Sequence, residues 1–166
     1  PRMVDFFRRD TPLQFIDGNG IPDFHGRTPH AGTGGRSVCA APFDGRRLGQ
    51  DIARLKPPLA ETTLWGMGIA SGTELRHFLN AMRSATSFWY VTRRVLAHWR
   101  DLVLHRRGMR LVNGNALTAG LLAAAREAGV DIRTNSPVLR LLREQDRVTG
   151  AVIKTAKGQQ HILARQ

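Results

Sequence analysis

The chain has 166 residues and a formal net charge of +12, with 25 Lys and Arg against 13 Asp and Glu. At roughly 150 residues per domain this length predicts one domain, and 42% hydrophobic residues exclude global disorder. Basic residues outnumber acidic ones by 17 to 9 over residues 1–110 and by 8 to 4 over 111–166, which excludes a basic tail. A single cysteine, Cys39, excludes an intrachain disulfide and a cysteine-cluster zinc site.

The two ends of the chain suggest an internal piece of a larger protein. The first residue is Pro1 rather than Met, and the last six residues form an apolar run that no turn or cap follows. No apolar stretch is long enough to span a bilayer. We identify no signal peptide, so the expected location is cytoplasmic.

Short elements separated by loops are predicted over the first 60 residues. In chain order these are a helix over 1–9, an extended segment over 13–16, a turn at 17–20, a glycine-rich loop over 25–35, a strand over 37–41 and a helix over 45–55. Pro57 and Pro58 end the last helix, because proline lacks the amide hydrogen that a helix interior needs. Residues 60–72 show no regular pattern.

Two helices are predicted in the middle of the chain. Ser71 and Glu74 have the spacing of a capping box, in which the serine caps the first turn and the glutamate reaches back. This helix carries an apolar face of Leu75, Phe78, Leu79 and Met82. The second helix ends near Gly108 and carries a longer apolar face of Phe88, Val91, Val95, Trp99, Leu102 and Val103.

The last third of the chain predicts a helix, a strand and an antiparallel meander. The helix covers 116–128 with Gly129 as its C-cap, a strand of the parallel type covers 130–133, and three strands cover 137–143, 148–155 and 160–164. Short turns between the last three strands favour antiparallel pairing. We expect apolar cover from Val138, Leu139, Leu141, Val152 and Ile162. The predicted fold class is therefore α+β.

Neither the glycines nor the histidines form a known binding motif. Residues 66–72 read GMGIASG, but the third glycine is one place late for a dinucleotide loop, and the region that follows is helical. The six histidines lack the spacing of metal ligands, so no metal is predicted. Cys39 lies in an apolar run without a local base, which favours a buried thiol over a nucleophile.

The arginine-rich helices leave open a function of another class. A basic helical module that binds nucleic acid or an anionic partner uses arginines to track phosphates and aromatic rings to stack on bases. The residues concerned are Arg76, Arg83, Arg93, Arg94, Arg100, Arg106 and Arg107, interleaved with Trp89, Tyr90 and Trp99. Arginine also packs its stem along apolar surfaces, so this composition alone does not establish nucleic-acid binding.

Two stretches carry motifs beyond periodicity. The first runs over 113–132 as NGNALTAGLLAAAREAGVDI and continues through 134–142 and 147–152. The second reads PDFH at 22–25, then GGR at 34–36, then PFDGR at 42–46 followed by Leu48 and Gly49. The first resembles FAD-dependent oxidoreductases of the fumarate reductase/succinate dehydrogenase flavoprotein type. The second is similar to the 3-ketosteroid dehydrogenase branch of that superfamily.

This resemblance implies the middle of an α/β FAD-binding domain, with an insertion over 1–108 and the helix–strand–meander part over 109–166. In the family, a glycine loop that grips the FAD pyrophosphate precedes this region, and a V-x-L-A-x-G-G run follows it; this chain contains neither. We therefore expect FAD as the cofactor of the parent protein and no activity of the piece alone. The implied partners are a small-molecule substrate, the remaining segments of the domain and a separate capping domain, with no nucleic acid.

The resemblance also implies site residues. The family uses main-chain groups of the strand matching Pro137 and Val138 near the adenine. The turn at Asn113, Gly114 and Asn115 would lie toward the flavin, where free amides at a helix start favour anionic or polar atoms. The implied reaction is dehydrogenation or reduction at a carbon next to a carbonyl, in a 3-ketosteroid or a fumarate-like substrate.

His25 is the candidate catalytic residue. In ketosteroid dehydrogenases a tyrosine after the Pro-Asp pair helps to activate the substrate ketone, whereas this chain has Phe24 and then His25 at that place. An imidazole can donate a hydrogen bond to a carbonyl oxygen or act as an acid near neutral pH. The hypothesis is that His25 replaces the missing phenol; a solvent-exposed loop histidine is the alternative.

Overall fold

The structure is a computed structural model that describes residues 2–18 and 20–164. The described chain is mixed α+β, as predicted, and divides into two compact units, Pro1–Gly129 and Val130–Gln166. The division at residue 108 concerns the insertion of a larger domain and stays a prediction.

The first unit begins with a helix and a small sheet. Helix α1 covers Arg2–Asp10, which confirms the predicted helix, and strand β1 (Phe15–Asp17) pairs antiparallel with β2 (Val38–Ala40). The turn predicted at 17–20 includes Asn19, which lies outside the described residues. Beyond it, the Ile21 amide donates to the Gly18 carbonyl (2.8 Å).

The predicted helix over 45–55 is wrong in type. After β3 (Phe43–Asp44), the segment Gly45–Arg54 forms 3-10 turns, and Gly49 interrupts them with φ 54° and ψ −126°. These angles lie outside the helical region, and glycine adopts them without steric cost. The Asp44 carboxylate caps the first turn by accepting from the Arg46 amide.

A short hairpin occupies the stretch that the sequence leaves irregular. A 3-10 turn at Ala60–Thr62 leads into β4 (Thr63–Leu64), which pairs antiparallel with β5 (Met67–Gly68). The two residues between the strands, Trp65 and Gly66, have φ of 51° and 79°. Two consecutive positive φ angles are typical of the type I′ turn that joins twisted strands. The GMGIASG segment thus begins in a hairpin rather than in a dinucleotide-binding strand.

The predicted capping box does not form. Helix α2 covers Thr73–Leu79, and its N-cap is Gly72, with φ 82° and no side-chain hydrogen bond. Glu74 is buried in unit 1 and pairs with Arg94 and Arg110 instead of reaching back to the helix start. Two guanidinium groups offer a carboxylate stronger, charge-assisted bonds than one backbone amide.

The next helix buries polar residues and exposes apolar ones. Helix α3 covers Ala85–His105, capped by Ser84 at its start and by Arg106 in the left-handed conformation at its end. Its buried residues are Ser87, His98 and Asp101. Of the expected apolar face, Phe88, Trp99, Leu102 and Val103 are exposed, whereas Val91 and Val95 are half-buried. With Trp89, Leu96 and Leu104, seven large apolar residues of α3 are exposed. We call these seven residues the α3 apolar surface.

The core of the first unit forms where α4 (Asn113–Glu127) packs against the 3-10 segment and three short strands. Strand β6 (Arg110–Leu111) pairs antiparallel with β3 and leads directly into α4. The core residues are Phe43, Leu48, Leu55, Leu111, Ala116, Ala119 and Ala123. Small residues on α4 permit close packing: a Cβ at Gly120 would lie 2.7 Å from a methyl carbon of Leu13.

The second unit is the predicted antiparallel meander of β7 (Val138–Glu144), β8 (Arg147–Thr155) and β9 (Gly158–Leu163). The strand predicted over 130–133 is not one of the strands assigned in the described chain, because these residues do not join the β7-β8-β9 ladder. Val152 is fully buried, but Val138, Leu139 and Leu141 are exposed, so β7 does not supply the expected cover. β9 approaches β8 so closely that a Cβ at Gly150 would lie 2.2 Å from the Ile162 carbonyl oxygen.

Candidate functional site

Asn113, Gly114 and Asn115 form an anchored turn at the start of α4. The Asn113 side-chain amide donates to the Ile69 carbonyl (2.9 Å), and the Asn115 side-chain amide donates to the Lys56 carbonyl (2.9 Å). Asn113 has a positive φ of 53°. Space above Gly114 is open, with no atom within 4 Å of a Cβ built there. The turn is therefore fixed by its two flanking asparagines and accessible at its centre.

The first amides of α4 are free of side-chain caps. The N-cap residue is Val112, whose side chain cannot accept a hydrogen bond. The Ala116 amide donates to the Val112 carbonyl (3.2 Å), so the amides before it are those that a helix start leaves unpaired. Such amides and the positive end of the helix dipole favour an anionic or polar atom.

A cavity of about 200 Å³ lies beside this turn. Asn115 lines it together with four basic or titratable side chains: His98, Arg106, Arg107 and Arg110. The His98 ring nitrogen Nε2 lies 3.2 Å from the Trp65 carbonyl oxygen. The C-terminal end of α3, the β4–β5 hairpin and the start of α4 thus meet around one basic cavity.

Two buried carboxylates organise the arginines near this cavity. Glu74 accepts from Arg94 Nε (3.0 Å) and from Arg110 Nη1 (2.7 Å). Asp101 pairs with Arg46 through one oxygen and accepts the Met109 amide with the other (3.1 Å). These contacts fix the chain between α3 and β6, because they join residues far apart in sequence.

The outer edge of β7 carries the second candidate pair. The Pro137 carbonyl accepts from the Lys154 amide (2.9 Å), and Val138 lies opposite Ile153. Because the Pro137 carbonyl points to β8, the Val138 N–H points away from it, and the register of the ladder shifts between Val138 and Arg140. β7 is an edge strand of the three-stranded sheet. Pro137 has no amide, and the donor–acceptor pair at this edge therefore comes from Val138.

His25 lies in an exposed loop that Asp23 holds together. The Asp23 carboxylate accepts from the Gly32 amide (2.8 Å) and from Arg36 (3.0 Å), and the Asp23 amide donates to the Gly32 carbonyl (3.0 Å). The His25 carbonyl accepts from the Thr28 hydroxyl (2.8 Å). Phe24, next to His25, is 99% exposed. The loop is thus ordered by internal bonds, and its aromatic ring has no cover from the described chain.

The structure brings only some of the candidate residues together. Asn113, Gly114 and Asn115 lie in the first unit with the basic cavity, His25 lies in the loop of that unit, and Pro137 and Val138 lie in the second unit. Local sequence patterns do not reveal the cavity or the roles of Asp23 and Glu74. The pair Arg106-Arg107 before Gly108 was a usable signal, but helix-dipole pairing explains the same pattern.

The described residues contain neither a group of metal-binding side chains nor a helix that could span a membrane. No three His, Cys, Asp or Glu side chains within 2–18 and 20–164 are grouped to hold a metal ion. Over the same part of the chain, no helix has both the length and the apolar character needed to cross a membrane.

Two features fit a dinucleotide cofactor. The uncapped start of α4 offers amides to polar atoms beside the open space at Gly114. Val138 lies in β7, an edge strand of the sheet, and its main chain carries a donor and an acceptor, the pair of groups that an adenine edge can bind. These are groups of the main chain, so they constrain the ligand by geometry rather than by side-chain chemistry.

The comparisons with known proteins identify the class. The chain belongs to the FAD binding domain family, whose family model matches residues 1–166. FAD is accordingly the cofactor that this membership assigns to the protein containing the chain. The predicted resemblance to a flavoprotein oxidoreductase is thereby confirmed.

Individual relatives show which dehydrogenases the chain is similar to. The chain is 35% identical over 92% of its length to a 4-oxocyclohex-2-ene-1-carboxylate 5-dehydrogenase of Sinomonas cyclohexanicum, and 31% identical over 93% to a 3-oxosteroid 1-dehydrogenase of Mycolicibacterium smegmatis. It spans 26% of the length of each. A solved 3-ketosteroid Δ1-dehydrogenase of Sterolibacterium denitrificans, in complex with 1,4-androstadiene-3,17-dione, matches 99% of the chain with TM-score 0.81 and 29% identity, over 30% of that structure. The similarity to the ketosteroid dehydrogenase branch is confirmed, and the comparisons do not support a nucleic-acid module.

Proposed function

We propose that the chain is the central part of the FAD-binding domain of a dehydrogenase that desaturates a ring ketone. The observation that carries the proposal is the agreement in fold over 99% of the chain with a 3-ketosteroid Δ1-dehydrogenase, at 29% identity. The relatives named above favour a ring ketone over the fumarate-like substrate that the sequence left open. The cytoplasmic location and the capping domain as a partner stay predictions.

The reaction introduces a double bond beside the ketone. The substrate loses a proton from one carbon and a hydride from the neighbouring carbon, and a C=C bond replaces the two C–H bonds. When bound, FAD supplies the two-electron acceptor for the hydride. The residues of this chain contribute by binding and orientation: the amides at Asn113–Asn115 hold polar atoms on the flavin side, and the main chain at Pro137–Val138 holds the adenine.

A direct experiment tests the proposed function. The full-length protein is mixed without oxygen with either 4-oxocyclohex-2-ene-1-carboxylate or a 3-ketosteroid saturated at C1–C2, and the absorbance of oxidised flavin is followed. Bleaching with a ring ketone, and none with succinate, is the expected result. Bleaching by succinate alone, or by none of these compounds, would contradict the proposal.

We propose that His25 donates a hydrogen bond to the substrate carbonyl as enolate character develops. It follows Phe24 in the loop where the related branch has its tyrosine, and this loop is ordered by Asp23. A donor to a developing negative charge stabilises the transition state more than the ground state. In the full-length protein, His25→Ala is expected to slow flavin reduction by on the order of 10²-fold, measured by stopped-flow absorbance.

His30→Ala is the matched control, because His30 is an exposed histidine of the same loop. It should change the rate less than about threefold, and both variants should retain the FAD content of the wild type. Equal small effects of the two substitutions would assign His25 to a solvent-exposed role.

The 166-residue chain alone is expected not to retain FAD. The G-x-G segments of the sequence lie at 18–20, 32–34 and 66–68, and none directly precedes a helix of the described chain, so the amides that usually hold a pyrophosphate at the start of a Rossmann helix are not supplied by them. Flavin fluorescence during titration should show no saturation at micromolar protein, while the full-length protein retains FAD through gel filtration. Stoichiometric, yellow 166-residue protein would refute this expectation.

A further inference from the structure

The charged side chains that line the cavity beside α4 are all of one sign. Three arginines, Arg106, Arg107 and Arg110, line it with His98 and Asn115, and its lining contains no Asp or Glu. Every charged group at its wall is therefore a cation.

The protein compensates only one of these three arginines. Arg110 pairs with Glu74, which it shares with Arg94, so that one carboxylate serves two guanidinium groups. Arg106 and Arg107 form no ion pair with any residue in the described chain. Arg106 is exposed, whereas Arg107 is half-buried, and a positive charge at a partly enclosed apolar wall is costly unless an anion is near.

Arg107 is also held in place without a carboxylate. Its Nη1 donates to two main-chain carbonyls, those of Ile52 (2.7 Å) and Leu55 (3.1 Å), and its buried Nε has no acceptor in the described chain. Carbonyl oxygens orient a guanidinium group but leave its charge uncancelled. The side chain is thus positioned in advance for an anionic ligand.

The rest of the wall and the volume limit the size of that ligand. The lining also includes three apolar side chains, those of Met67, Leu111 and Val112. At about 200 Å³ it is smaller than the roughly 300–1,000 Å³ of pockets that hold a whole drug-sized ligand. It suits one anionic group and the carbon atoms beside it.

We propose that this cavity binds an anionic oxygen group, a carboxylate or a phosphate, of a ligand of the dehydrogenase. Arg106 and Arg107 provide the charge, and the Asn115 side of the cavity connects it to the start of α4. The inference rests on the proposed function for the identity of the ligand, because the carboxylate would belong to a ring-ketone substrate and the phosphate to the cofactor.

The test uses the full-length protein with the variants Arg106→Gln and Arg107→Lys. Arg106 is exposed and makes no ion pair in the described chain, so its substitution tests the charge without removing a buried contact. Arg107→Lys keeps the charge but removes the planar donor set. The control is Arg100→Gln on the same helix, whose side chain is 64% exposed and does not line the cavity.

Three probes are measured by calorimetry or fluorescence: cyclohexanecarboxylate with the holoprotein, and inorganic phosphate and FAD with the apoprotein. For a substrate carboxylate, Arg106→Gln weakens cyclohexanecarboxylate binding about tenfold or more relative to Arg100→Gln, the loss expected for one charge-assisted hydrogen bond, and FAD affinity is unchanged. For a cofactor phosphate, the same variant weakens phosphate and FAD binding instead.

The proposal is overturned if Arg106→Gln binds all three probes within about twofold of Arg100→Gln, or if the wild type binds none of them. If Arg107→Lys folds, its binding of the three probes is a second test of the proposal. If it does not fold, the binding measured for Arg106→Gln decides alone. Flavin bleaching by a neutral ring ketone in the wild type separates the outcomes, because it supports the proposed function even when this site fails.

Discussion

Replacement of Glu74 by Gln lowers the free energy of unfolding of the first unit by about 3–5 kcal/mol, the range for breaking a buried ion pair from one side. The Glu74 side chain is 5% exposed and holds Arg94 and Arg110. The neutral amide leaves two guanidinium groups without a counter-charge, and Arg94 is itself only 11% exposed. The loss is large because the charges that remain cannot reach water freely.

Tryptophan fluorescence during urea unfolding measures this effect. The three tryptophans of the sequence, Trp65, Trp89 and Trp99, all lie within Pro1–Gly129, so the signal reports on that unit. Glu61→Gln is the control, because Glu61 is exposed at a 3-10 turn and should change stability by less than about 0.5 kcal/mol. A Glu74→Gln protein as stable as this control would show that the ion cluster contributes no net stability.

Val152→Asp destabilises the second unit by more than about 3 kcal/mol. Val152 is fully buried at the centre of β8, between β7 and β9. A carboxylate there would lose its hydration, and the residues directly opposite it, Arg140 on β7 and His161 on β9, are both exposed. Protonation of the aspartate reduces the penalty but keeps a polar group in the core.

Hydrogen exchange followed by mass spectrometry suits this measurement, because residues 130–166 contain no Trp or Tyr. We expect faster exchange throughout β7, β8 and β9 in Val152→Asp. Val148→Asp is the control on the same strand, since Val148 is half exposed and lies opposite Arg143. Protection equal to that of the control would mean that the meander does not depend on the Val152 side chain.

The elements predicted best are those with strong local signals. The Ala-rich run ending at Gly129 predicts α4 to within a few residues at each end, and turn residues at 144–147 and 156–158 separate the three strands. Helix propensity, period-two alternation and turn chemistry all lie within a short window of sequence. The structure therefore adds little to these regions beyond their register.

The errors share a long-range cause. Glu74 has the right spacing for a capping box, but its partners lie 20 and 36 residues further along the chain. Gly49 interrupts a segment whose composition suits a helix. On α3 most of the periodic apolar residues are exposed, whereas the polar residues His98 and Asp101 are buried. Periodicity identifies a helix but not the partner that covers each face.

The candidate site likewise has one part that the local sequence predicts and one part that it does not. The motif around Asn113–Asn115 and the edge at Val138 follow from local sequence and from the family resemblance. The basic cavity does not, because its lining residues between 98 and 115 are joined there by Pro57 and Pro58 and by residues 66–68 of the β4–β5 hairpin. Sites assembled from three separate segments leave no spacing that a single sequence can reveal.

The α3 apolar surface affects whether copies of this polypeptide attract or repel one another in solution. A molecule with net charge +12 repels its copies at low ionic strength, even while apolar side chains such as Trp89 and Leu96 on α3 are exposed to water. Added salt shortens the range of that repulsion from about 10 Å at 0.1 M to about 3 Å at 1 M and leaves the apolar attraction intact. We therefore expect copies of the chain to associate through the α3 apolar surface in concentrated salt and to stay apart in dilute buffer.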